Sequence, residues 1–335
     1  MINKLVDISE KTADEKKRDP DLLERMEVAA KGQSPRFLIL SPIDRSAQDL
    51  QLLDLRMGDA FHATRVPWRV LPAPENSPVL FAGPACYNRN FPEKSGVIVT
   101  FEEEESSDVI SESLSNLSKH PDLEGIPVLA LRVDYDKGLV GFESHGFDRN
   151  PDAERWVSSH IQRPDGVDRD YLVLICSDSR VQPPRTPKGH PMAIQTLGGY
   201  IPRHSDGCVE TSQLDDFFQD WLSRDRAQRK ILIVMHGSFK GVGAPCGAAH
   251  ASLDPASVDC RVLRPLVEQI SNHAACFEEQ PAENAEDRVV ALASAIKENL
   301  LSYPTISSCF EERADDFIDT AFMNTVTNVL SVLEH

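Results

Sequence analysis

Tyr171-Leu-Val-Leu-Ile-Cys-Ser-Asp-Ser-Arg180 is the stretch on which the reading of this chain turns. Tyr171 to Ile175 make an apolar run too short for an ordinary helix, so the run reads as a buried strand. It stops at Cys176, Asp178 and Arg180, which put a thiol, a carboxylate and a guanidinium at alternate positions. In open α/β sheets, chemistry sits at the carboxyl ends of strands. A second such edge is Lys230-Ile-Leu-Ile-Val-Met-His236, an apolar strand that ends on a histidine. Ten residues further on comes Cys246-Gly247, after a loop with three glycines and a proline, where a helix is predicted to start. Cys176, His236 and Cys246 form a Cys2His set, one of the ligand combinations that leave zinc an open fourth position.

The order Cys-x-Asp-x-Arg after a buried strand, then a strand-ending histidine, then Cys-Gly, resembles β-class carbonic anhydrase. Cys176, Asp178, Arg180, His236, Cys246 and Gly247 carry the resemblance. It implies that Cys176, His236 and Cys246 bind one zinc ion per chain and that Asp178 and Arg180 are the catalytic dyad. The spacing departs from the family's common His-x2-Cys, because the nine residues Gly237–Pro245 intervene here. A wider gap is also a feature of the divergent carboxysomal shell carbonic anhydrases. His236 and Cys246 are expected on the same metal, with Ser238–Val242 looping away. The rival ligand is His250, which a helix would place about one turn past Cys246 on the same face. Its other readings are a proton shuttle or a plain surface histidine.

At 335 residues the chain has room for two medium domains or one large one. Its 41% hydrophobic and 26% charged residues are ordinary for a soluble globular protein. A net charge of −18 argues against nucleic acid and anionic membranes as partners, since both call for basic patches. No apolar run approaches the ~18 residues of a membrane span. The first residues, Met-Ile-Asn-Lys-Leu-Val-Asp, lack the apolar centre of a signal peptide. Seven cysteines, scattered without a secreted framework's spacing, point to a reducing cytoplasm, with a bacterial microcompartment as a narrower location. Cys86, Cys208, Cys260, Cys276 and Cys309 have no ligand spacing and are expected to be buried thiols.

Residues 1–35 are polar with a weak apolar stripe and are expected to form a helical arm that packs on a neighbour. A repeat then emerges when Phe37–Leu40 is laid on Leu172–Ile175. Ser41 falls on Cys176, Ile43 on Asp178 and Arg45 on Arg180. Gly96-Val-Ile-Val-Thr-Phe101 falls on Ile231–His236 and runs into Glu102–Glu105, expected to be a solvated edge. Gly58-Asp-Ala-Phe-His-Ala-Thr-Arg65 is similar to the Gly-Asp-x-Phe-x-x-Arg that follows the first ligand in β-carbonic anhydrases, and Ile126–Glu143 to their closing strand and turn. Residues 36–148 therefore read as a degenerate copy without a metal site, and 151–335 as the zinc-binding catalytic copy. Ser144–Asp152 would link them, and Ala153–Ile161 would form a helix leading into the Tyr171 strand. Asp108–Lys119, Arg261–His273, Ala285–Leu301 and Asp315–Leu333 read as helices, so the second copy is expected to lack a closing strand, or the sequence to stop short of it.

The expected fold is α/β: a mostly parallel sheet flanked by helices, in two tandem copies that form a pseudo-dimer. Further self-association of these pseudo-dimers is expected. The resemblance implies reversible hydration of carbon dioxide to bicarbonate by zinc-bound hydroxide, the usual consequence of lowering the pKa of a zinc water. Asp178 would accept from that water while Arg180 grips its carboxylate; family precedent is that a broken pair lets the aspartate bind zinc. Two alternatives stand beside this reading. One is hydrolysis of carbonyl sulfide or carbon disulfide on the same scaffold; the other is a non-catalytic scaffold that keeps zinc for folding.

Overall fold

The central strands are continuous aliphatic runs, as strands buried on both faces require. In the first half they are β1 (Phe37–Pro42), β2 (Ala60–Arg65), β3 (Gly96–Glu102), β4 (Val128–Asp134) and β5 (Leu139–Phe142). These form one sheet in the order β2-β1-β3-β4-β5, parallel except for β5. The second half supplies β6 (Val167–Cys176), β7 (His190–Thr196), β8 (Lys230–Gly237), β9 (Ile318–Asn324) and β10 (Leu330–Val332). Their order, β7-β6-β8-β9-β10, repeats the first strand for strand, with β10 alone antiparallel. The chain is thus an α/β protein of two similar, mostly parallel sheets. This structure, a computed structural model, describes residues 2–80, 82–142, 164–224, 226–238, 245–310 and 314–333. The predicted linker Ser144–Asp152 and helix Ala153–Ile161 lie outside the described residues, as do 239–244 of the loop after β8.

Strand register makes the equivalence of the two sheets quantitative. Leu38 pairs with Val97, and Val173 pairs with Leu232. With Ser41 on Cys176, Leu38 falls on Val173, so Phe101 occupies the place of His236. Val97 in turn pairs with Val128, and Leu232 with Asp319. Counting from there, Asp134 at the end of β4 occupies the place of Thr325, just past β9.

One expectation is overturned here. Asp315–Leu333 is not a helix, and the second copy does not lack its closing strand: β9 is that strand and β10 folds back on it. Apolar residues at 317, 318, 321 and 322 mimic a helical period, but Thr320, Thr325, Val326, Thr327 and Val329 are β-branched and suit strand and turn better. Ile318, Ala321 and Met323 are buried against β8, and this packing outweighs the local pattern. The other expected helices are present: α5 (Ser107–Ser118), α8 (Leu263–Ala275) and α9 (Ala285–Leu301); the shorter α3 (Ser46–Leu52) and α4 (Ala82–Asn90) follow β1 and β2.

The arm is α1 (Ile2–Lys16) and α2 (Pro20–Lys31), and it packs on its own chain. Leu5 is buried in the core, and the backbone N–H of Leu330 donates to Ser9 Oγ at 3.0 Å, so α1 covers the β10 edge.

The sheets meet where edge strands β2 and β7 run together. The N–H of His62 donates to the Ser177 carbonyl at 2.9 Å and that of Gly58 to Ser179 at 2.8 Å. From the other side, Ala193 N–H donates to the Ile43 carbonyl at 2.8 Å and Gln195 N–H to Thr64 Oγ1 at 3.2 Å. The first half thereby holds the Cys176–Arg180 loop of the second. A further tie comes from Glu210 on α6 (Val209–Leu222), whose carboxyl accepts from Ser77 Oγ at 2.6 Å and from the N–H groups of Val79 and Leu80.

Candidate metal centre

Three chain segments converge on one point. Cys176 closes β6, His236 is the penultimate residue of β8, and Cys246 caps the short helix α7 (Gly247–Ala251). Their ligand atoms lie within 4.8 Å of one another, and all three side chains are buried. Among the described residues this is the one such group of three or more His, Cys, Asp or Glu. His250, the rival, is exposed on α7 and lies outside the group.

Each member is aimed by its surroundings. Gly198 and Gly199 turn the chain after β7 with φ of +68° and +71°, a region that favours glycine. That turn brings the Gly198 N–H to Cys176 Sγ at 3.3 Å. Imidazole Nδ1 of His236 lies 3.1 Å from Thr325 Oγ1, while its Nε2 is buried with no hydrogen-bond partner. A buried ring nitrogen without a partner is costly unless something fills its lone pair or takes its proton.

The two thiols are shifted in opposite directions. The Cys176 S–H directed at Cys246, helped by the nearby His236, holds the Cys246 thiol well below its usual range despite burial. Cys176 is pushed well above its range by the same bond and by burial. Burial pulls the His236 pKa down, but the Cys246 thiolate and Asp178 more than offset it, so the net shift is upward. Two sulfurs and one imidazole, convergent and buried, with an orphan ring nitrogen, fit a zinc ion of borderline softness.

Asp178 and Arg180 form the adjoining pair. Arg180 Nε donates to Asp178 Oδ1 at 2.8 Å and Nη2 to Oδ2 at 2.5 Å, and the Arg180 N–H also reaches Oδ1 at 2.9 Å. Burial raises the carboxyl pKa, but the Arg180 hydrogen bonds and the His236 charge bring it net below its ordinary value. Oδ2 stands 4.0 Å from His236 Nε2, on the edge of the ligand cluster. Arg180 Nη1 has no partner, and Nη2 also donates to the Pro245 carbonyl at 3.4 Å, next to Cys246.

Sequence reading missed three supports of this site. Thr325 holds His236. Asn328, in a left-handed conformation with φ of +55°, donates to the Arg180 carbonyl at 2.9 Å and accepts from Gln182 N–H at 3.0 Å. Gln33, past the end of α2, accepts from both the N–H and the hydroxyl of Ser179. Asn324-Thr-Val-Thr-Asn328 carries the turn composition that would have flagged the first two. No local signal marks Gln33.

At the corresponding place in the first half stand two arginine–glutamate pairs. Arg45, at the place of Arg180, donates to Glu102 at 3.2 Å and lies over the Tyr135 ring. Arg65 makes a bidentate, fully buried pair with Glu105, at 3.0 and 2.6 Å, above the Phe101 ring. Glu102–Glu105 is therefore not the solvated edge expected: Glu102 and Glu105 are buried as counter-charges to half-buried Arg45 and buried Arg65, and only Glu103 and Glu104 face solvent. Of the remaining cysteines, Cys86 and Cys260 are buried as expected, Cys208 and Cys309 are partly buried, and Cys276 is exposed near the end of α8.

By sequence, no family profile matches this chain and no curated protein does. Solved structures do resemble it. The β-carbonic anhydrase CcaA is 20% identical, with a TM-score of 0.33, over 55% of this chain and 83% of CcaA. A Coccomyxa β-carbonic anhydrase in complex with acetazolamide is 20% identical, with a TM-score of 0.35, over 52% and 74%. CafA of Aspergillus fumigatus, another β-carbonic anhydrase, is 19% identical, with a TM-score of 0.33, over 52% and 78%. Over about half its length the chain is similar to these proteins, but likenesses of this size say nothing about substrate or activity. No described helix is long and apolar enough to cross a membrane.

Proposed function

We propose that this protein is a zinc-dependent carbonic anhydrase, reversibly hydrating carbon dioxide to bicarbonate and a proton, with one catalytic centre in its second half. The observation that carries this is a buried Cys176–His236–Cys246 cluster with a carboxylate oxygen of the Asp178–Arg180 pair 4.0 Å from the imidazole. Zinc held by these three ligands would supply Lewis acidity at an open fourth position, the property that brings a water's pKa toward ~7.

The chain's own residues do the rest. Asp178 is kept ionised by Arg180, so at neutral pH it is an acceptor with lone pairs to spare. The bidentate grip fixes which way those lone pairs point. An acid–base group positioned in this way typically contributes ~10²–10⁴ in rate. Burial of Cys176, Asp178, Arg180, His236 and Cys246 keeps bulk water from screening these charges. Carbon dioxide is small, linear and uncharged, so it needs no counter-ion on the protein, only room beside the carboxylate.

Stopped-flow assay of carbon dioxide hydration, on protein whose zinc content has been measured, tests the reading. Zinc-loaded protein should accelerate hydration far above the buffer rate. Loaded protein that leaves the buffer rate unchanged would leave a structural zinc site. Faster turnover of carbonyl sulfide or carbon disulfide in the same assay would reassign the substrate.

A further inference from the structure

We infer that Thr325, in the turn between β9 and β10, is a positioning residue that fixes the tautomer of His236 and so presents Nε2 for metal. The inference rests on the zinc reading above and adds a residue to it. Thr325 is fully buried, and its hydroxyl has a single hydrogen to give. That hydrogen goes to the Gly237 carbonyl, at 2.9 Å, a bond paralleled by Thr325 N–H to the same oxygen at 3.1 Å. Toward His236 Nδ1, at 3.1 Å, the hydroxyl oxygen is then left to accept. Nδ1 therefore carries the ring hydrogen in the metal-ready state, and the lone pair falls on Nε2, the atom that has no other partner. The opposite tautomer would bury an N–H among the ligand atoms and force the hydroxyl to leave Gly237.

The same chain contains its own comparison. In the first half Phe101 stands at the place of His236, and the place of Thr325 is taken by Asp134. Asp134 turns to its own hairpin, accepting from the N–H and the ammonium of Lys137 at 2.9 and 2.5 Å. Imidazole and hydroxyl occur together in the second half, and at the equivalent places of the first both are replaced. A role confined to capping the β-hairpin would not follow the histidine. Asn328, three residues on, binds the backbone on both sides of Val181, so this turn also steadies the loop after β6 that carries Arg180.

The test is a zinc competition titration, with zinc chloride against a chromophoric chelator, on the full chain and its Thr325→Val and Thr325→Ser variants. Thr325→Val keeps the shape and removes the acceptor, and should weaken zinc by ~10–100-fold, the usual effect of losing a ligand's hydrogen-bond partner. Thr325→Ser keeps the hydroxyl and should stay within a few-fold of the parent. Independently of folding in either variant, nitrogen NMR of zinc-loaded parent should show His236 protonated at Nδ1. Equal affinity in parent and Thr325→Val, an equally weak Thr325→Ser, or a proton on Nε2 would overturn the inference while leaving the zinc reading intact. A parent with no affinity for zinc would overturn both.

Discussion

Glu210 offers a test of how the two halves are joined. It reaches from α6 of the second half to Ser77, Val79 and Leu80 of the first and is wholly buried. Burial pushes its carboxyl up from 4.5 to about 7, although the Ser77 hydroxyl and two backbone N–H groups pull the other way. An acid whose folded pKa is raised favours the fold most below its unfolded value and loses that advantage as pH rises through the folded value. Between pH 4.5 and about 7 the folded chain holds the proton that the unfolded chain has released, so stability falls as pH rises. A shift of that size corresponds to about 3 kcal/mol. Glu210→Gln keeps an acceptor oxygen for the three donors but cannot ionise. Denaturant unfolding of parent and variant at pH 5 and pH 8 isolates the effect. The parent should lose between about 2 and 3 kcal/mol relative to the variant on going to the higher pH, because part of the full effect is already spent at pH 5. A difference that stays constant, or grows in the parent's favour, would refute the reasoning.

Two further outcomes concern the centre. Asp178→Asn and Arg180→Ala should each keep zinc, measured by elemental analysis, and lose ~10²–10⁴ of hydration activity in stopped flow; parent-like turnover in either would remove the dyad from the mechanism. His250→Ala should keep zinc and activity, because the residue is exposed and outside the cluster, whereas Cys246→Ser should release the metal on dialysis.

The parts of this protein legible in its sequence are those whose signals are local. Leu172–Ile175 and Ile231–Met235 are short aliphatic runs bounded by polar residues, and both are central strands. Ser41, Ile43 and Phe101 were aligned with Cys176, Asp178 and His236 from the sequence, and strand register puts them at those places. The closing strands β9 and β10 failed to show because the apolar spacing of 317–322 suits a helix as well as a buried strand, and only contact with β8 decides between them. With them went Thr325 and Asn328, whose roles depend on a turn that brings them back to residues far earlier in the chain. The buried Arg65–Glu105 pair was hidden for a related reason. Four consecutive glutamates read as solvent-facing until a buried guanidinium is known to lie across from them.

Zinc K-edge X-ray absorption on the purified protein, with zinc quantified per chain, tests the central claim most directly. One zinc per chain is predicted, with two sulfurs at ~2.3 Å, one imidazole nitrogen at ~2.1 Å and one further light atom. Two tightly held zinc ions per chain, or a shell without two sulfurs and a nitrogen, would contradict a single open Cys176–His236–Cys246 centre.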